Sequence, residues 1–349
     1  MTTADGAGEG VRRGLVLGAG GALGFAWMVG ALSALEQEEG FDARSVEICV
    51  GTSAGSILAA LLGCGVGVDA MLRHQRGIPL PGDPAIGWDY DRDSGGAVPP
   101  RPGFGLGSPD LLLRAALHPR RVPPLVAASA LLPRGRGTLQ PVRRMVDGLS
   151  NALLRPADTE STDRDRPQWP VSPRVWVVAM DYSAGRRVAF GRDGAPPARL
   201  SQAVTASCAI PGWYEPVVIH RRRYVDGGTA SPTSLDLLAG LGLDEVYVLA
   251  PMASFAYDRP RSPVAKAERR WRRVVTRRVV AEATSVRESG TSVVLLGPGP
   301  DDLRAIGGNL MNHRRRGEVL ATSLRTSPSA LRRADRGAAH VLPAEGAAR

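Results

Sequence analysis

Cysteine is scarce. The 349 residues contain three, Cys49, Cys64 and Cys208, widely spaced and in no Cys-x-x-Cys pair. That spacing excludes a disulfide framework and a zinc ribbon, and it fits a reduced, intracellular setting. Phe, Tyr and Trp together make only 5% of the chain, so a core must be filled by Val, Leu and Ala. No run approaches the roughly 20 apolar residues of a membrane span. The opening MTTADGAGEG has neither the basic start nor the apolar stretch of a cleavable signal peptide. A cytoplasmic protein, peripheral at most to a membrane, is the expectation. The five histidines are scattered, with no His, Cys or carboxylate set at ligand spacing, so no metal and no cofactor is implied.

Lysine is nearly absent too: Lys266 is the only one, and the formal net charge of +10 rests on arginine. Such a balance favours anionic surfaces, although a compositional bias toward arginine accounts for it equally well. Nucleic acid is not expected as a partner, because neither zinc spacing nor an aromatic-studded basic strand is present.

What is there begins with RGLVLG (13–18), an apolar run that reads as a buried strand, followed by the Gly-rich loop Gly18–Gly24. FAWMVGALSALEQ then has helical period and stops at Gly40. SVEICVG (45–51) and AGSILAALLG (54–63) repeat the strand–glycine turn–helix pattern. Two such units predict a central, mostly parallel sheet with helices on its faces. Residues 77–110 are too rich in Pro and Gly for long elements. Short helices are expected in PDLLLRAALH, PPLVAASALL and Leu139–Leu154, then a loose linker over 155–172. RVWVVAMD (174–181) and RRVAFG (186–191) read as a hairpin, and 198–207 as a helix. RRYVDGG, DEVYVLAP (244–251), an Arg-rich helix over 263–289 and the strand TSVVLLGP complete the pattern before a helical, then fraying, tail.

Gly51-Thr-Ser53-Ala-Gly55 places G-x-S-x-G between a strand and a helix. A nucleophilic serine needs that setting, because a sharp turn lifts its oxygen off the sheet edge and the glycines let strand and helix pass closely. Without the chemistry, Ser53 would serve as an ordinary helix N-cap. The loop Gly18-Ala19-Gly20-Gly21-Ala22-Leu23-Gly24 is a poor dinucleotide fingerprint, since Leu23 stands at the third glycine and the second strand ends in Gly51 rather than an acid. It is a good anion loop: small residues expose N–H groups at a helix start. Such donors hold the oxyanion of an acyl transfer at roughly 3 kcal/mol each. A histidine base is hard to find, as His313 lies in MNHRRRGE and His340 in the tail. Asp226 in Tyr-Val-Asp-Gly227-Gly228 instead sits at a strand end, where a desolvated carboxylate can take a proton directly; alone, Asp-Gly-Gly is more often a plain turn.

Four blocks in this order, namely the Gly-rich loop, GTSAG, ASCAIPGWYEPV (206–217) and DGG (226–228), resemble the patatin-like phospholipase family. The resemblance covers about 13–240. It implies a three-layer α/β/α fold and a Ser–Asp dyad without histidine or metal, acting on a lipid ester. Its roles fall on Ser53 as nucleophile, Asp226 as base, and Gly20, Gly21 and Ala22 as oxyanion loop. Gly18, Gly24, Gly51, Gly55, Gly227 and Gly228 keep the motifs' shape. The chain departs from the family's G-G-G-x-[RK]-G at Ala19 and at Leu23, where the cation is missing. Restoring it as Leu23→Arg is expected to speed the chemical step if the loop keeps its geometry, or to unfold the site if Leu23 packs in the core. A silent lipid-binding relative and a transacylase are the alternatives.

The resemblance also organises the chain into a catalytic domain over 13–240, with 77–172 as insert and linker, and an α/β completion over 241–340. The insert, 77–154 in particular, reads as a lid over the acyl pocket or as passive packing. On the 263–289 helix, Val264, Ala267, Trp271, Val275, Val279 and Val286 form one stripe and Lys266, Arg270, Arg273 and Arg277 another. That pattern suits an anionic membrane interface or a helix docked on the sheet with its basic face in solvent.

Overall fold

The computed structural model describes residues 10–89, 92–93, 96–154, 169–255 and 263–334. Alternation along the strands divides the molecule into layers. In β1 (Arg13–Leu17), Leu15 and Leu17 join one core and Val16 the other. The same alternation runs through β2 (Ile48–Thr52), β3 (Arg174–Asp181), β7 (Glu245–Leu249) and β8 (Ser292–Leu296), each buried on both faces. Strands of that kind require a covering layer on each side.

One cover comprises α1 (Gly21–Glu39), α2 (Ala54–Gly63), α3 (Val68–Arg76), α6 (Gln140–Leu153), α7 (Leu200–Ser207), α9 (Pro300–Ile306) and α10 (Arg316–Arg333). The other is α8 (Pro263–Glu288) with the 3₁₀ turn Leu235–Leu238. Two short helices of the insert, α4 (Pro109–Leu117) and α5 (Pro124–Ser129), pack Leu111, Val122 and Val126 on Tyr182 and Val225. The result is a three-layer α/β/α sandwich, as the doubled strand–turn–helix unit requires.

The sheet has eight strands in the order β5-β6-β3-β2-β1-β7-β8, with β4 (Arg186–Phe190) also on β3. Pairings from β3 through β8 are parallel, whereas β4, β5 (Val217–Ile219) and β6 (Arg222–Asp226) pair antiparallel. Register brings the site together. Thr52, the last residue of β2, lies opposite Val178, and β3 runs three residues further. β6 pairs with that overhang, Tyr224 to Asp181 through Asp226 to Ala179, and so ends where β2 ends.

Helices α3 and α8 differ from the sequence reading. α3 was not anticipated, because its buried face carries Gln75 beside Val68 and Met71, which blurs the apolar period. The α8 stripe is buried from Val275 through Val279 to Val286, but Ala267 and Trp271 are exposed; Arg272 and Glu282 enter the buried face instead. Arg272 donates to the carbonyls of Pro251 and Ala253 just past β7. The basic residues Lys266, Arg270, Arg273 and Arg277 stay exposed, so α8 is a docked helix with a solvated face. Most of the 155–172 linker lies outside the described residues.

Candidate active site

Ser53 occupies the turn from β2 into α2 at φ 54° and ψ −122°. A side chain at positive φ is strained by about 1–3 kcal/mol, and only a surrounding that over-determines the turn keeps it there. Its neighbours do so. A Cβ on Gly55 would stand 1.9 Å from the Leu17 carbonyl oxygen, and one on Gly51 would stand 2.5 Å from that of Gly55. Both glycines are therefore demanded by close backbone passage.

Hydrogen bonds complete the brace. The Ser53 N–H donates to Ser207 Oγ at 2.8 Å, and the Ser207 hydroxyl donates to the Val178 carbonyl at 2.6 Å. Ser56 Oγ donates to the Ser53 carbonyl at 2.6 Å, with Cys208 Sγ at 3.4 Å from the same oxygen. The Asp226 N–H donates to the Ala209 carbonyl at 2.9 Å. The 206–209 segment thus ties both motif residues together. Sequence reasoning found this block but not its role, which depends on partners about 150 residues away.

Asp226 is buried, and the Ser53 side chain lies close enough to its carboxyl to favour the ionised form. Oδ1 accepts the Gly228 N–H at 2.7 Å. Burial pushes the carboxyl up to about 6, against the opposing pull of the nearby Ser53 side chain and the Gly228 N–H. A carboxylate with that affinity ionises below neutral pH yet remains a far better proton acceptor than an exposed one. Gly227 has no room for a Cβ, which would meet the Val178 carbonyl oxygen at 2.3 Å. Gly228 backs onto Ala19 of the Gly-rich loop.

That loop spends some donors on the scaffold: Gly18 N–H on Leu249 O, Ala19 on Pro232 O, Leu23 on Leu310 O and Gly24 on Gly20 O. Gly21 and Ala22, the first two residues of α1, line the same cavity as Ser53. Their N–H groups belong to the helix turn that has no intrahelical acceptor, where the dipole favours negative charge. Gly20 does not line the cavity, and a Cβ there would meet the Pro251 ring at 2.6 Å. Leu23 is fully buried in the core beneath α1 and does not line the cavity. Of the two readings of Leu23, packing in the core is the one its burial supports, because at that position the helix points inward.

The cavity has an empty volume of about 1020 Å³, reckoned out to open solvent. Phe25, Ile57, Leu61 and Met71 form part of an apolar wall. The insert adds Ile86, Trp88, Leu139, Val142 and Met145. Polar members besides Ser53 include His74, Asp93, His313 and Arg316. His74 Nε2 meets the Ile86 carbonyl at 3.0 Å, and burial lowers the affinity of its ring for a proton. It anchors the insert. His313, set aside on sequence grounds, does reach the cavity wall, with Nδ1 buried and without a partner among the described residues.

Among the described residues, no helix is long and apolar enough to cross a membrane. No curated protein matches the sequence. Solved structures with similarity include VipD from Legionella pneumophila, at 13% identity and TM-score 0.38, covering 89% of this chain and 67% of that one. The type III effector ExoU is similar at 20% identity and TM-score 0.36, covering 92% of this chain. Full-length ExoU in complex with SpcU, from Pseudomonas aeruginosa, aligns at 16% identity and TM-score 0.37. The chain spans about half the length of ExoU, 53% in each alignment. The family model for patatin-like phospholipases matches residues 15–239, which hold the Gly-rich loop, GTSAG, the ASCAIPG segment and DGG. On that match, the chain belongs to the patatin-like phospholipase family.

Proposed function

We propose that this protein hydrolyses acyl ester bonds of lipids with Ser53 as nucleophile and Asp226 as base. The observation that carries the reading is a strained serine close to a buried aspartate, beside an apolar cavity. Membership in a family with general phospholipase and esterase activity supports it.

In the proposed sequence, Ser53 Oγ attacks the ester carbonyl carbon while Asp226 takes the hydroxyl proton. The N–H groups of Gly21 and Ala22 hold the tetrahedral oxyanion. Its collapse breaks the bond to the leaving oxygen, which receives the proton from Asp226 and departs as the alcohol or lysolipid. Water then attacks the acyl-Ser53 ester, again giving its proton to Asp226, and Ser53 recovers a proton as the fatty acid leaves. The apolar walls take the acyl chain and keep bulk water from the carboxylate.

Two alternatives separate by experiment. A silent binding protein would bind lipid but neither turn over an ester nor take a fluorophosphonate label on Ser53. A transacylase would share the acyl-serine intermediate and pass the acyl group to an added alcohol. Turnover of a chain-length series of esters should be abolished by Ser53→Ala and by Asp226→Asn in folded protein, while His313→Asn keeps it within a few fold. Equal loss in His313→Asn would assign the base to the histidine.

A further inference from the structure

The insert presents a surface that neither the core nor the cavity accounts for. Of the sixteen large apolar side chains exposed among the described residues, eight fall between Val98 and Leu132. They range from Leu132 at 43% exposure to Phe104, which is fully exposed. The cause is visible in α4 and α5. Leu111 and Val126 turn toward Tyr182 and Val225, leaving Leu113 and Leu117, one helical turn apart, and Leu125 in solvent. Leu131 and Leu132 emerge beside Phe104, because the Gly103 N–H bonds to the Arg134 carbonyl and the Gly107 N–H to that of Leu132.

Charge runs through the same face. Residues 98–136 hold six arginines, Arg101, Arg114, Arg120, Arg121, Arg134 and Arg136, and one acid, Asp110, which pairs with Arg223. Six positive charges less one negative give +5, and all six guanidinium residues are exposed. Arg221, at the tip of the β5–β6 hairpin, lies in the groove beside Leu113 and Leu117. A second copy of the chain fits this face poorly, since a two-fold contact would set like charges together.

We propose that this face docks the protein on the surface of an anionic phospholipid bilayer. Leucine and phenylalanine side chains enter the interface, and the interleaved guanidinium groups meet phosphate. The chain runs on from this face to the cavity wall. Thr138 and Leu139, immediately beyond Arg136, line it, and Gly137 bridges to Tyr214 on its wall. A bilayer held there supplies lipid at the cavity mouth. That last link rests on the lipid-hydrolase reading, whereas the docking itself does not.

The test therefore uses Ser53→Ala protein, so that binding is read without turnover. It is sedimented with vesicles of pure phosphatidylcholine and of phosphatidylcholine mixed with phosphatidylglycerol, at low and high salt. Binding is expected to the mixed vesicles at low salt and to weaken as salt rises. Arg120→Gln/Arg121→Gln should weaken partition by roughly thirtyfold. Leu113→Ser/Leu117→Ser should weaken it at either salt, both variants melting as the parent does. Equal binding to neutral and mixed vesicles overturns the proposal, as does indifference to both variants. So does loss on Arg270→Gln/Arg273→Gln of α8 instead, or a dimer that the leucine variants dissociate. An active enzyme that ignores the vesicles overturns the docking face alone. A binding protein without esterase activity overturns the hydrolase reading alone.

Discussion

Asp226 meets two demands that pull in opposite directions. Burial lifts its carboxyl from 3.8 to about 6, so in that interval the folded protein holds a proton that the unfolded chain has released. The resulting stabilisation is complete below the unfolded value and is lost as pH rises through about 6. At neutral pH the ionised group then costs stability on the order of 3 kcal/mol, while the base role proposed for it requires the ionised form. Two outcomes follow: kcat should rise with pH through about 6 and level off above. Asp226→Asn, which keeps an oxygen for the Gly228 N–H, should melt higher than the parent near pH 8, with the gain shrinking toward about pH 4. Calorimetry at the two pH values checks this, and a lower melt near pH 8 contradicts it. For Leu23→Arg the expectation is now a loss of both stability and activity, because a guanidinium would be buried unpaired among apolar side chains. A melt and a kcat both unchanged would show that the loop reshapes to free it. Ser53 and Asp226 were legible in the sequence because their turns demand glycine at fixed offsets. The inward direction of Leu23 was not, since the first turn of a helix fits several faces.

The strand–turn–helix units were legible as elements because their periods are strict and their ends carry glycine, as at Gly40, the left-handed cap of α1. What sequence could not supply is register. Asp226 comes near Ser53 because β3 outruns β2 by three residues and β6 stops beside Ala179, facts that belong to pairing between distant segments. Nor could it show that Arg272 and Glu282 are buried on α8, where Glu282 accepts from Ser231, Thr233 and Leu235 in the loop after DGG. The tightness of the β2–α2 turn is open to test by paired substitutions. Gly55→Ala would drive a Cβ into the Leu17 carbonyl and should abolish activity and lower Tm sharply. Gly148→Ala, on an α6 position with nothing within 4 Å of the added methyl, should be neutral or stabilise by up to about 1 kcal/mol. Thermal melts of both, with Gly148→Ala losing more than Gly55→Ala, would refute the packing argument.

At the scale of the whole molecule, the cavity is the joint product of the sandwich and the insert. The elements of the sandwich give it Ser53, Gly21, Ala22 and one apolar wall, and residues on both ends of the insert give it another. Composition allowed an acyl pocket without showing it, because Trp88 and Met145 come from segments with no shared period. Met145→Trp should narrow that wall and move the preferred ester toward shorter acyl chains. An unaltered chain-length profile would place the acyl group elsewhere. The central claim, a serine activated by an aspartate, is tested most directly by fluorophosphonate labelling followed by peptide mass spectrometry. The account predicts one adduct, on Ser53, whose formation slows at least a hundredfold in folded Asp226→Asn and little in His313→Asn. Labelling at another residue, or Ser53 labelled at the parental rate without the Asp226 carboxylate, would contradict it.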